Sequence, residues 1–130
     1  MSASTTVYDT RVTAVGAQVP AFLDHGIIVL FAHTAPPELH DISVLHEAAV
    51  TEDGPLPGDT IVIGPADAPE HLEVLAVGSV VRDNLLNLGH LDIKADGRTE
   101  AKLPGDVCVR TGPLPTPAEG DVFRITREQA

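Results

Sequence analysis

The sequence predicts an all-β protein: a small single-domain β-barrel with one or two short helical turns. Three observations carry that expectation. Eleven Gly and eleven Pro divide the 130 residues at short intervals, which favours many short strands over long helices. Aromatics are scarce, with three Phe, one Tyr and no Trp, so the core is built from Val, Ile, Leu and Ala. Gly-Asp also opens three similar segments: Gly58-Asp59 before TIVI, Gly105-Asp106 before VCVR, and Gly120-Asp121 before VFRI. In each, Gly permits a turn, Asp can bond its own backbone, and a β-branched run follows. The length suits one domain over residues 1–130, with a modest core and no staples.

The elements follow in order. Val7 to Val15 alternates loosely and stops at Gly16, as a strand would. Gly26 to Ala32 (GIIVLFA) is a continuous apolar run ending shortly before Pro36-Pro37. It is too short for a globular helix and reads as a strand buried on both faces. Thr34 is placed to cap a single helical turn over Pro37 to Asp41. Ile42, Val44 and His46 then alternate with Ser43, Leu45 and Glu47, so a short strand carries His46. Leu72 to Val81 is a further strand, interrupted at Gly78 by a bulge or a close backbone approach. Arg82 to Leu88 (RDNLLNL) is the best short helix, with Asp83-Asn84 as its N-cap and Gly89 as its C-cap. Asp96-Gly97 between LDIKA and RTEAKL is a two-residue hairpin signal.

Charge and cysteine content narrow the function. A formal net charge of −11 excludes sequence-independent attraction to nucleic acid or anionic lipid; a basic or apolar protein face is the natural partner. Cys108 is the only cysteine, so no internal disulfide forms. Between Val107 and Val109 it reads as a small core residue rather than a nucleophile. The N-terminus, MSASTTVYDTR, lacks a basic segment followed by an apolar one, which predicts no signal peptide. The longest apolar run falls far short of the roughly 20 residues that span a bilayer. These features predict a soluble cytoplasmic protein without direct membrane insertion.

The reactive inventory is six histidines: His25, His33, His40, His46, His71 and His90. Their spacing makes no metal motif, and no Walker or GxGxxG loop is present, so neither a metal nor another cofactor is expected. His46 follows Val44-Leu45 and His90 follows Leu88-Gly89, placing each imidazole at the edge of an apolar segment. A partly enclosed neutral imidazole suits a nucleophilic phosphoryl acceptor, because burial disfavours protonation and leaves one ring nitrogen free. Residue spacing alone does not single out this role.

Two segments add what spacing does not. APPELHDISVLHE spans Ala35 to Glu47, and AVGSVVRDNLLNLGHLDIKADGRTEAKLPG spans Ala76 to Gly105. Together they resemble the glucitol/sorbitol-specific IIA component of the bacterial phosphotransferase system, and the resemblance runs from about Tyr8 to Ile125. It implies a small β-barrel that takes a phosphoryl group on His46 in VLHE, with His90 in LGH as the neighbouring imidazole. It also implies a relay. Phosphoryl arrives from the phosphohistidine of HPr and passes from His46 to a cysteine of the IIB domain. That domain belongs to a membrane permease with a IIC component that imports a sugar alcohol. Some family members carry a second histidine where this chain has Ala48. The alternative reading is a non-catalytic regulatory or protein-interaction β-barrel whose His46 is structural.

Overall fold

The structure, a computed structural model, describes residues 3–129. The chain runs β1 (Ala3–Val15), α1 (Val19–Leu23), β2 (Ile27–Ala32), a 3-10 turn (Pro37–Ile42), β3 (Val44–Thr51), β4 (Thr60–Gly64) and β5 (Glu70–Val77). It continues with α2 (Val81–Leu88), β6 (Leu91–Lys94), β7 (Asp106–Val109) and β8 (Val122–Gln129). The strands close into one barrel in the order β1-β3-β2-β6-β7-β5-β4-β8. Two neighbouring pairs, β2 with β3 and β6 with β7, are parallel; the other pairs are antiparallel. Closure leaves no unpaired sheet edge among the described residues. The interior is aliphatic, filled by residues such as Ile28, Ile61, Ile93, Val107 and Ile125, with Phe123 and Tyr8 as its large aromatic members.

Several expectations change in detail. β2 is buried on one face only: Ile28 and Leu30 point inward while their neighbours are half-buried. This is the barrel's inward-outward alternation, here with an apolar outer face. The turn at Pro37–Ile42 forms without a side-chain cap from Thr34, and α2 begins at Val81, with Val80 at its N-cap and Asp83 inside its first turn. Asp96-Gly97 does turn the chain, with Gly97 at φ 69. No hairpin results, because Arg98, Thr99 and Glu100 are exposed and polar and offer no face to bury. The chain crosses over instead, and β7 pairs with β6 in parallel. At Gly78 the expected close approach is present: an added Cβ would collide with the Pro104 carbonyl.

The piece that positions the site is α2. Val81 and Leu85 bury themselves in the core, which holds this short helix against the barrel. Gly89 ends it in the left-handed conformation, φ 62, with its N–H donating to the Leu85 carbonyl at 2.9 Å. Glycine adopts that conformation without Cβ strain.

Candidate functional site

His46 is the third residue of β3, opposite Val12 on β1 and Ala32 on β2. Its side chain turns into the barrel and is only 1% exposed. The rings of Phe123 and Tyr8 meet it edgewise, with centroids 5.7 and 6.1 Å away. Its Nε2 lies 2.7 Å from the Gly89 carbonyl oxygen. A carbonyl only accepts, so Nε2 carries the proton and Nδ1 carries the lone pair. Nδ1 is buried and has no hydrogen-bond partner among the described residues.

The environment keeps this ring neutral. Burial is the largest influence and lowers the pKa below 6.5; the bond to Gly89 opposes it, and the nearby His33 charge lowers it again. Gly89 is fitted to its task by more than its φ. A Cβ there would lie 2.7 Å from the Ala32 backbone nitrogen, so only glycine lets the end of α2 approach β2 closely enough to present that carbonyl.

Beside His46 a cavity of about 310 Å³ is lined by Tyr8, His33, Glu47, Leu86 and Gly89, among others. His33 is exposed at its rim, and its backbone N–H donates to the His46 carbonyl at 2.9 Å. Burial pushes the Tyr8 phenol up to about 12, so it keeps its proton and remains a donor on the cavity wall.

His90 faces elsewhere. Its Nδ1–H donates to the Leu30 carbonyl at 3.2 Å, its ring stacks on Phe31 at 4.1 Å, and its Nε2 lies 3.7 Å from an Asp92 carboxylate oxygen. His90 is thus joined to His46 through the backbone of Gly89, while the imidazole that shares the cavity is His33. The sequence reading did not single out His33 or Tyr8. The signal for His33 was its place at the end of GIIVLFA, but its nearness to His46 depends on parallel β2–β3 pairing, which no local pattern reveals. Of the other histidines, His25 and His71 are exposed, and the His40 Nε2–H donates to the Ala35 carbonyl at 2.8 Å. Among the described residues no group of three or more His, Cys, Asp or Glu is placed to hold a metal.

A neutral, desolvated imidazole with one nitrogen engaged and the other free is equipped for nucleophilic attack. Comparison with known proteins gives the chain a family. Residues 7–124 match the family described as the PTS system glucitol/sorbitol-specific IIA component. The chain is 35% identical over 122 residues to the glucitol/sorbitol-specific EIIA component of Shigella flexneri, covering 93% of this chain and 95% of that protein. The same identity and coverage hold for the corresponding component of Escherichia coli (strain K12). In fold it is similar to the crystal structure of a PTS system IIA component from Enterococcus faecalis V583. That likeness has a TM-score of 0.72 at 24% identity, covering 88% of this chain and 96% of that one. No helix among the described residues is long and apolar enough to cross a membrane. By family match and by identity along nearly its whole length, the chain belongs to the glucitol/sorbitol-specific IIA components of the phosphotransferase system.

Proposed function

We propose that this chain is the histidine phosphocarrier of a sugar-alcohol phosphotransferase system. His46 accepts a phosphoryl group from phospho-HPr in the cytoplasm and passes it to a cysteine of the IIB domain of a membrane permease. One observation carries the reading: His46 is a buried, neutral imidazole whose ring has one nitrogen bonded to backbone and the other without a partner. A purely structural histidine would satisfy both nitrogens, so the regulatory-module alternative accounts for the burial but not for the open valence.

Phosphoryl transfer requires positioning and charge neutralisation more than bond-making chemistry from the protein. Here the Gly89 bond fixes the ring, and His33 and the Tyr8 phenol supply donors beside the incoming phosphoryl oxygens. His90, anchored on Leu30 beside Asp92, acts by holding the Gly89 turn in place. The test is phosphorylation by phosphoenolpyruvate with purified Enzyme I and HPr, read by intact mass at alkaline pH, where phosphohistidine survives. A single adduct that requires HPr and disappears in His46→Ala is expected. Absence of any adduct on folded wild-type protein would transfer the assignment to the regulatory module.

A further inference from the structure

We infer that the phosphoryl group is carried on Nδ1 of His46, with the Gly89 carbonyl as the positioning group that selects that atom. The inference rests on the phosphocarrier reading and adds to it the identity of the reacting nitrogen. The two ring nitrogens are not equivalent. Nε2 is occupied by its proton and by the 2.7 Å bond to Gly89, whereas Nδ1 keeps its lone pair and, though buried, has no hydrogen-bond partner among the described residues. An orphaned acceptor in an apolar setting is costly, and such an orphan at a functional site marks a group held ready for another partner.

The step balances as follows. The Nδ1 lone pair attacks the phosphorus of a donor phosphohistidine that is protonated on its other ring nitrogen. A new Nδ1–P bond forms and the donor N–P bond breaks, its electron pair returning to the donor ring, which leaves as neutral imidazole. The positive charge passes to the His46 ring, whose Nε2–H stays in place. That proton is the one already donated to Gly89, so the carbonyl dipole stabilises the cationic ring as it forms. Onward transfer to a thiolate reverses these roles and needs no proton movement on His46.

The register of Gly89 protects this arrangement. It is locked by the left-handed φ of 62 and by the contact with Ala32, and the Phe123 and Tyr8 edges hold the ring plane. Nδ1 itself is buried, which keeps bulk water away from the reacting atom.

The experiment uses wild-type protein labelled with 15N. In the unphosphorylated state, long-range 1H–15N spectra are expected to report a protonated Nε2 and an unprotonated Nδ1 for His46; the opposite tautomer would overturn the inference. After phosphorylation through HPr, 31P–15N coupling is expected at Nδ1. Coupling at Nε2 would overturn the inference and leave the carrier reading intact. Phosphoramidate, a small P–N donor, separates the remaining cases. An Nδ1 adduct from phosphoramidate with none from HPr would support the choice of atom while the carrier reading fails. No His46 adduct from either donor would overturn both.

Discussion

His46 joins burial to titration, and the sign of that link can be measured. In the unfolded chain its imidazole titrates near the ordinary 6.5; in the fold, desolvation holds it lower. Between the two values the unfolded chain binds a proton that the folded chain refuses. His46 therefore makes no difference above pH 6.5, and stability falls as pH drops from there through the folded value. Asp53, held low by Arg82 and Arg127, and Asp92, raised chiefly by burial, add their own dependence at other pH values, but a His46 variant keeps both. Urea unfolding at pH 7.5 and 5.0 is expected to show a larger loss of stability on acidification in wild type than in His46→Gln. Equal losses in the two proteins would mean that His46 accepts protons freely in the fold, removing the basis for its neutral, nucleophilic state.

At the scale of elements, the Gly-Asp segments form one device used three times. The backbone N–H of Asp59, Asp106 and Asp121 donates to the carbonyl of Leu56, Leu103 and Ala118 at 3.0, 3.1 and 3.1 Å. Each Asp carboxylate accepts in return from the N–H of the same residue, at 2.8, 3.2 and 2.9 Å. All three carboxylates are buried, so each turn is fastened from both sides before its strand begins. The repeat was legible in the sequence because its chemistry is local, but its backbone was not. Gly58 and Gly120 sit at φ 93 and 90, as the third position of a type II turn demands, whereas Gly105 has no positive φ and open space where a Cβ would go. Identical dipeptides therefore predict opposite responses. Gly120→Ala should lose about 1–2 kcal/mol, the cost of a left-handed L-residue. Gly105→Ala should be neutral or gain up to about 1 kcal/mol through the unfolded chain. Thermal unfolding of the two variants decides it, and equal destabilisation would mean that the three turns share one backbone form.

Across the whole molecule, what could be read from the sequence divides by range. GIIVLFA, TIVI and VCVR announced strands, and RDNLLNL with Gly89 announced a helix and its stop, because periodicity and glycine act over a few residues. The order in which the strands close, and the parallel pairing that sets His33 beside His46, depend on contacts distant in sequence and left no local trace. The balance of charge was legible from composition, and the structure adds where the cations are engaged. Arg127 binds Asp53 and Asp59, Lys94 binds Asp106, Arg11 and Arg124 share Asp9, Arg82 binds Asp53, and Arg98 lies beside Asp96. Most of the positive charge is thus tied up in pairs, and the net −11 is presented to an approaching protein as a negative field. Such a field accelerates encounter with a basic face and is screened by salt over about 10 Å at 0.1 M. The second-order rate of phosphoryl transfer from phospho-HPr to wild-type protein is therefore expected to fall, by about tenfold or more, between about 0.05 and 0.5 M NaCl. The single-turnover rate within the docked complex should change little, since the His46 ring is buried. A second-order rate indifferent to salt would show instead that the donor is captured by apolar contact, leaving the exposed Leu88 beside the cavity as the side chain on which it docks.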